Sequence, residues 1–147
     1  MKNILVIAAH PDDEVLGCGA TICKYSKNTN VNILFISDGV SSRGNKKKLK
    51  SKILSRKKSA LKSAKILGVE KVFFGNFPDN QLDKISLLKI TKLIEKHLKR
   101  LNPKTIITHH FNDLNVDHRK VSEATITACR PLKSNQVGLI LFFEVFF

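Results

Sequence analysis

The sequence of 147 residues contains few cysteines and no long apolar segment. Its three cysteines, Cys18, Cys23 and Cys129, are odd in number and lack the paired spacing of a zinc motif, which indicates buried free thiols instead of a disulfide framework. No apolar run approaches the length of a transmembrane helix, and the short apolar start runs into charged residues where a signal peptide would be cleaved. We therefore expect a cytoplasmic protein. The absence of repeats and linkers predicts a single domain over residues 1–147.

Acidic residues are scarce relative to basic ones. Lysine and arginine together number 26 against 12 aspartates and glutamates, which gives a formal net charge of +14. Such an excess favours anionic partners, namely nucleic acid, acidic lipid headgroups or acidic substrates. The lysine-rich run at residues 46–58 contains no phenylalanine or tyrosine on which bases could stack. A polyanion-binding module is therefore the weakest functional hypothesis, and no specific nucleic acid is predicted as a partner.

Strand-like and helix-like segments alternate along the chain. The predicted strands are residues 3–9, 31–37, 71–76, 105–109 (or 105–110) and 138–147, and the predicted helices are residues 15–27, 46–67, 87–101 and 118–129. This alternation is typical of an α/β protein with a doubly wound, Rossmann-like parallel sheet of strand order 3-2-1-4-5 and helices on both faces. Gly17 and Gly19 lie inside the first helix, so they predict close packing on the sheet instead of a dinucleotide site.

The first polar segment follows the first strand directly. Residues Ala9–Glu14 read Ala-His-Pro-Asp-Asp-Glu, so a strand-to-helix turn can aim His10 and Asp13 at one point. A neutral imidazole and a carboxylate aimed together suit zinc or a similar divalent metal, with Asp12 beside it and free to handle protons. The same residues also suit a plain helix start, with Pro11 in the first turn and acidic residues that complement the helix dipole.

A second polar segment follows the fourth strand. Residues 109–118 read His-His-Phe-Asn-Asp-Leu-Asn-Val-Asp-His, and they face His10 and Asp13 across the predicted switch point, where ligands bind in such sheets. Catalytic zinc typically takes three protein ligands and leaves one position for water. The third ligand is therefore predicted within this segment, and we select His118, which opens the next helix.

The two segments together resemble the motifs of the LmbE-like (PIG-L) family of zinc-dependent N-deacetylases. The resemblance is carried by residues 9–14 and Asp113-x-Asn115-x-Asp117-His118-Arg119, and more weakly by Asp38-Gly39, residues 56–68, Pro78-Asp79-x-x-Leu82 and Phe143-Glu144-Val145. Members of that family remove acetyl groups from N-acetylglucosamine-type sugars, free or attached to inositol, malate or lipid. The resemblance implies one zinc ion, or another divalent metal, on His10, Asp13 and His118. It also implies that Asp12 is the general base.

Other polar residues of the second segment complete the predicted catalytic set. Asp117 is expected to orient a neighbouring imidazole. Several family members carry a histidine, thought to help stabilise the oxyanion, where this chain has Asn115. The resemblance therefore leaves it open whether the acid or donor role belongs to Asn115 or shifts to His109 or Asp113.

The expected reaction is hydrolysis of the acetamide of an N-acetylglucosamine-type sugar or conjugate, which releases acetate and a free amine. Zinc would lower the pKa of its bound water toward roughly 7 and polarise the acyl oxygen. Arg43 and Asp79 lie on loops at the same end of the sheet as the two polar segments, and we expect them to meet sugar hydroxyls.

The end of the sequence is apolar, because residues 142–147 read Phe-Phe-Glu-Val-Phe-Phe. Members of the family usually continue for some tens of residues past this strand, so the resemblance implies that the C-terminal part of the family domain is missing. An apolar edge strand without cover invites self-association. A truncated, inactive homologue that folds and retains metal is the alternative to an active enzyme.

Overall fold

A computed structural model describes residues 3–42, 48–131 and 137–145. The strands are β1 (Ile4–Ala8), β2 (Val31–Ser37), β3 (Lys71–Phe77), β4 (Thr105–His109) and β5 (Leu139–Phe143), and the helices are α1 (Asp13–Ser26), α2 (Leu49–Ile66), α3 (Leu87–Leu101) and α4 (Val116–Ala128). A short 3₁₀ helix, Leu82–Lys84, follows β3 and is not predicted by the sequence pattern.

The five strands are parallel and lie in the order β3-β2-β1-β4-β5. Ile4 of β1 lies opposite Val31 of β2 on one side and Thr105 of β4 on the other, so β1 is the centre of the sheet. The predicted α/β fold and its strand order are confirmed.

Helices cover both faces of the sheet, which explains why its three inner strands are apolar on both sides. Every residue of β1, β2 and β4 is buried. Alternate residues of these strands pack into two separate cores, one with α3 and α4 and one with α1 and α2. Full burial of a leucine, isoleucine or phenylalanine side chain contributes about 1.5–3 kcal/mol, so these strands are the main source of stability.

The predicted close packing of α1 on the sheet is observed at one of its two glycines. A Cβ atom at Gly17 would overlap the ring of Phe143 in β5, so no other residue fits without displacing that ring. At Gly19 the nearest atoms lie at ordinary contact distance, 3.7 Å or more. Gly17 is therefore the residue that allows α1 to lie against β5.

The element boundaries differ from the predicted ones mainly at helix starts. The first helix begins at Asp13 and not at residue 15, and α4 begins at Val116 and not at His118. The predicted start of α2 at Lys46 lies outside the described residues. In the described part of the chain, this helix begins at Leu49. Helix starts shift in this way because the first turn is set by capping contacts that the apolar pattern does not report.

The cysteines are free, as predicted, but not all of them are buried. Cys18 is buried, Cys129 is partly buried and Cys23 is exposed. Cys23 lies on the outer face of α1, since the helix turns only one side toward the sheet. The prediction of a buried thiol is therefore wrong for Cys23.

The last strand lies at the edge of the described sheet. It pairs with β4 only, and Leu139 and Phe142 are 41% and 40% exposed. The strand ends at Phe143, so the prediction that it continues through residues 144 and 145 is wrong, and its predicted end at residues 146 and 147 lies outside the described residues. Self-association through this strand stays a prediction, as does the assignment of residues 1–147 to one domain.

Candidate metal centre and active site

His10 follows β1 and lies between two groups of carboxylates. Its Nδ1 lies 3.2 Å from Oδ2 of Asp13, and its Nε2 lies 3.1 Å from Oδ2 of Asp117 and 3.2 Å from Oδ1 of Asp79. Because carboxylates only accept hydrogen bonds, Nε2 carries a proton that faces the Asp117 and Asp79 carboxylates, and Nδ1 is the nitrogen that faces Asp13. The side chain is therefore oriented so that a metal ion can take the place of the Nδ1 proton while Nε2 keeps its hydrogen bonds.

Asp13 is the carboxylate on which the cluster converges. Its Oδ2 accepts a hydrogen bond from the backbone N–H of His10 at 2.8 Å and lies 3.3 Å from Nε2 of both His109 and His118. Burial alone would raise the pKa of this carboxyl group, but the surrounding imidazoles of His10, His109 and His118 hold it well below its ordinary range. Asp13 is therefore ionised in the folded protein.

His118, in the first turn of α4, completes the group. Its Nδ1 donates a hydrogen bond to Oδ2 of Asp113 at 3.0 Å, so its Nε2 is the ring nitrogen available to a further ligand. Burial alone would lower the pKa of His118, but Asp13 and Asp113 raise it. That Nε2 is buried and has no hydrogen-bond partner among the described residues. A buried imidazole nitrogen without a hydrogen-bond partner, 3.3 Å from an ionised carboxylate, is an unsatisfied ligand atom.

These atoms together fit a divalent metal. Ligand atoms of His10, Asp13 and His118 all lie within 4.8 Å of one another. Burial alone would lower the pKa of His10, but hydrogen bonds to Asp117, Asp13 and Asp79 raise it to about 11. Two imidazole nitrogens and a carboxylate are the ligand types that zinc takes in catalytic sites. The cluster stabilises positive charge where the three ligand atoms meet, and a metal cation supplies that charge without protons.

Asp12 lies beside this group in an unusual backbone conformation, with φ 149° and ψ −27°. It precedes α1, but its side chain makes no capping hydrogen bond. Instead, its Oδ2 accepts a hydrogen bond from Nη1 of Arg56 at 2.7 Å, and the Asp12 side chain is 48% exposed. Burial and the neighbouring Asp13 raise the pKa of Asp12, and Arg56 opposes the shift. Asp12 is therefore a solvent-accessible carboxylate whose proton affinity is increased.

A cavity of about 370 Å³ opens over the cluster. Of the residues predicted for the site, it is lined by His10, Asp12, Asp13, Asp79, Asn115 and His118. His109, Asp113 and Asp117 lie behind this lining, and Arg43 lies outside the described residues. The structure thus divides the predicted site into side chains that can touch a substrate and side chains that can act only through them.

Asp117 has both carboxylate oxygens engaged. Its Oδ1 accepts from the backbone N–H of Leu82 at 3.0 Å, and its Oδ2 accepts from that of Asn80 at 2.8 Å. The backbone at the start of the 3₁₀ helix, which the sequence pattern does not predict, thus binds the Asp117 carboxylate and holds it beside His10. Asp79 is bonded to the hydroxyl and the backbone N–H of Ser42 as well as facing His10.

Asn115 is the N-cap of α4. Its side-chain oxygen accepts from the backbone N–H of Asp117 at 2.8 Å. The amide NH₂ of Asn115 has no hydrogen-bond partner among the described residues, although the side chain lines the cavity. The cap therefore fixes the carboxamide and leaves a donor at the site.

His109 is fully buried under the ligands. Its Nε2 accepts a hydrogen bond from the backbone N–H of Ala9 at 2.9 Å, and its ring stacks on that of His118 with centroids 3.9 Å apart. On its other side the ring of Phe143 lies at 4.5 Å. Burial lowers the pKa of His109, so its imidazole is neutral. Its ring packs against that of His118 and holds the His118 ring in place.

Two charged residues near the site are not predicted as site residues by the sequence. Arg56 lies in α2, whose many lysines predict a solvent-exposed face. It is the single arginine of α2, and this is the one feature of the sequence that sets it apart. Glu14 belongs to the first polar segment but has no predicted role, and it bonds the backbone of Asp12. Neither contact follows from the spacing of residues in the sequence.

None of the helices in the described parts of the chain is long and apolar enough to cross a bilayer. The cytoplasmic location expected from the sequence stays a prediction.

The fold and the cavity define an α/β enzyme whose polar site lies at the switch point of a doubly wound sheet. The family model that matches the chain, over residues 5–129, is described as PIG-L: GlcNAc-PI de-N-acetylase. A curated relative, the uncharacterized deacetylase YaiS of Escherichia coli, is 30% identical over 136 residues, which cover 89% of this chain and 70% of YaiS. The chain belongs to the PIG-L family, as predicted, and its family is one of N-deacetylases.

Solved structures share the fold of the chain. The conserved protein TT1542 from Thermus thermophilus superposes with a TM-score of 0.78 at 24% identity, covering 98% of this chain and 66% of that protein. N,N'-diacetylchitobiose deacetylase from Pyrococcus horikoshii gives a TM-score of 0.77 at 28% identity, covering 87% of this chain and 49% of that enzyme. The chain thus spans about half to two thirds of the length of these two proteins.

Proposed function

We propose that the chain is a zinc-dependent N-deacetylase that hydrolyses the acetamide of an N-acetylglucosamine-type sugar or conjugate. The observation that carries the proposal is the convergence of His10 Nδ1, Asp13 Oδ2 and His118 Nε2 beside the accessible carboxylate of Asp12. The family and the similarity to a chitobiose deacetylase support an N-acetyl sugar as substrate.

His10, Asp13 and His118 are the residues that would hold the zinc ion. When bound, zinc supplies Lewis-acid polarisation of the acyl oxygen and lowers the pKa of water. Asp117 and Asp113 act through the ligands, because their hydrogen bonds to His10 Nε2 and His118 Nδ1 fix the tautomers that leave the other nitrogens free.

Asp12 is our proposed general base. It takes a proton from the attacking water while the water oxygen bonds to the acetyl carbon, and it returns that proton to the sugar nitrogen as the C–N bond breaks. Its raised pKa suits this task, since acid–base catalysis is most efficient when the pKa of the catalytic group lies near the working pH. The products are acetate and the free amine.

Asn115 is our proposed donor to the oxyanion that forms on the acyl oxygen. The alternatives left open by the sequence are less well placed, because His109 is fully buried and Asp113 is bonded to His118. An NH₂ group already oriented by a helix cap needs no rearrangement during the reaction. Asp79 remains our proposed contact for sugar hydroxyls since it lines the cavity, and Arg43 remains a prediction outside the described residues.

Elemental analysis combined with a deacetylation assay on N-acetylglucosamine conjugates tests the proposal. We expect one zinc ion per chain, release of acetate, and loss of turnover on chelation that is restored by added zinc. Bound metal without turnover on any conjugate would instead support the inactive homologue. Chelator-insensitive turnover would contradict the proposed role of zinc.

A further inference from the structure

Glu14 is a buried carboxylate that the proposed reaction does not use. It is 1% exposed and does not line the cavity. Its Oε2 accepts a hydrogen bond from the backbone N–H of Asp12 at 3.0 Å, and its Oε1 is buried without a hydrogen-bond partner among the described residues. A buried carboxylate with only one of its two oxygens hydrogen-bonded destabilises a protein, so its presence at this position requires a reason.

The backbone of Asp12 is where that reason lies. Its φ of 149° falls where residues with a side chain are rarely found, and such conformations persist only when surrounding contacts enforce them. The Asp12 carbonyl accepts from the backbone N–H groups of Val15 and Leu16 in the first turn of α1. Glu14 holds the N–H of the same residue. Both polar groups of the Asp12 backbone are therefore fixed, one by the helix and the other by Glu14.

An aspartate before a helix usually adopts an extended conformation and caps the helix with its own carboxylate. Asp12 does not, because its carboxylate is turned to Arg56 and the cavity. In an ordinary capping box, a glutamate at the third helical position accepts from the N–H of the capping residue, and the side chain of that residue caps the helix in return. Here the acceptor is Glu14, at the second helical position, and the Asp12 side chain gives no cap in return.

We propose that Glu14 is a positioning residue that holds the Asp12 backbone in the conformation from which the Asp12 carboxylate reaches the cavity. The inference rests on the proposed role of Asp12 as general base. Glu14 acts through one hydrogen bond as an acceptor, so its size and its acceptor oxygen matter and its charge does not. A small displacement of a catalytic group is known to reduce rates on the order of 10²-fold.

Two variants of equal size separate acceptor from volume. Glu14→Gln keeps an oxygen that can accept from the Asp12 N–H, and Glu14→Met fills the same space without one. We expect Glu14→Met to lower kcat by about 10- to 100-fold with KM and zinc content nearly unchanged, and Glu14→Gln to retain most of the rate. The control is Glu70→Ala, which removes an exposed carboxylate beside Lys71 at the opposite end of the sheet. This variant should leave kcat unchanged.

Amide hydrogen exchange supplies a readout that does not depend on turnover. The Asp12 amide should exchange slowly in the unaltered chain and in Glu14→Gln, and faster in Glu14→Met. Equal protection in all three proteins would overturn the inference, because the hydrogen bond would then not be what holds this backbone.

A double variant tests whether Glu14 acts through Asp12. Glu14→Met should slow the unaltered enzyme but should not slow Asp12→Asn any further. A further loss of rate, or a loss of zinc in Glu14→Met, would overturn the inference. Full activity in Asp12→Asn would instead contradict the proposed general base, whereas a slow Asp12→Asn with an unaffected Glu14→Met would overturn the inference alone.

Discussion

The two loops that build the site, residues 9–14 after β1 and residues 109–118 after β4, start their helices in opposite ways. In the second loop, Asn115 caps α4 with its own side chain and has an ordinary extended conformation, φ −70° and ψ 127°. In the first loop, Asp12 occupies the same place before α1 but adopts a positive φ and leaves the helix without a side-chain cap. The second loop caps its helix with a side chain that also serves the proposed site, whereas the first loop forgoes a side-chain cap and leaves the Asp12 carboxylate free for chemistry.

The largest expected effect comes from removing the ligand that the second loop contributes. His118→Ala should lose most of its zinc affinity and its activity, because two ligands remain of three. Elemental analysis after dialysis measures this. His97→Ala is the control, since His97 is also buried but lies in α3 and bonds the carbonyl of Leu93. Equal zinc loss in both variants would mean that the metal lies elsewhere.

The first loop is tested by Asp12→Asn. We expect zinc binding to be retained and the rate to fall by roughly two or more orders of magnitude, as loss of acid–base catalysis typically costs. Zinc content and turnover measured on the same preparation check this expectation. Loss of zinc together with activity would make Asp12 a ligand and would reverse its proposed division of roles with Asp13.

The cap of the second loop separates stability from rate. Asn115→Ala should lower the free energy of unfolding by about 1 kcal/mol and should also slow the reaction. Asn115→Asp keeps an oxygen that can cap α4 but has no NH₂ group, so it should retain stability and still be slow. Denaturant unfolding and turnover of both variants measure the two effects. A fully active Asn115→Asp would exclude Asn115 as the oxyanion donor.

The same measurement in the first loop should give the opposite sign. Asp12→Gly relieves a backbone strain on the order of 1–3 kcal/mol, against about 1 kcal/mol for the greater freedom of glycine in the unfolded chain. We expect an inactive protein whose free energy of unfolding is equal or higher. A clear loss of stability would show that the conformation of Asp12 is not strained, and the contrast between the two loops would disappear.

The smallest expected effect concerns pH. Asp12 acts as a base only when it is ionised, and Arg56 lowers its pKa while burial and Asp13 raise it. Arg56→Gln removes the contribution that lowers the pKa of Asp12, so this pKa rises. As the pH falls, the variant should therefore lose activity at a higher pH than the unaltered enzyme does. The acidic limb of the profile of kcat/KM against pH measures this. Lys62→Gln, elsewhere on α2, should leave that limb in place.

Most of the fold could be predicted because the inner strands are continuous apolar runs. The predicted range of β2 coincides with the observed one, and β4 ends at His109, the earlier of its two predicted limits. The strand order then predicted that His10, Asp13 and His118 would meet, since they follow neighbouring strands. The remainder depended on single contacts across long stretches of chain. The ion pair of Arg56 with Asp12 and the hydrogen bonds of Asp117 to the start of the 3₁₀ helix leave no periodic trace in a sequence.

Phe143 joins parts of the molecule that lie far apart in the sequence. Its ring fills the space at Gly17 of α1 and lies against His109, which stacks on His118. It lies beyond residue 129, where the match to the family model ends. All three proposed ligands precede β5 in the chain, so a chain that lacks β5 holds every ligand without the support behind them. Zinc binding is expected to be tight only when β5 is present, and zinc titrations of the chain with and without residues 138–147 would show the difference.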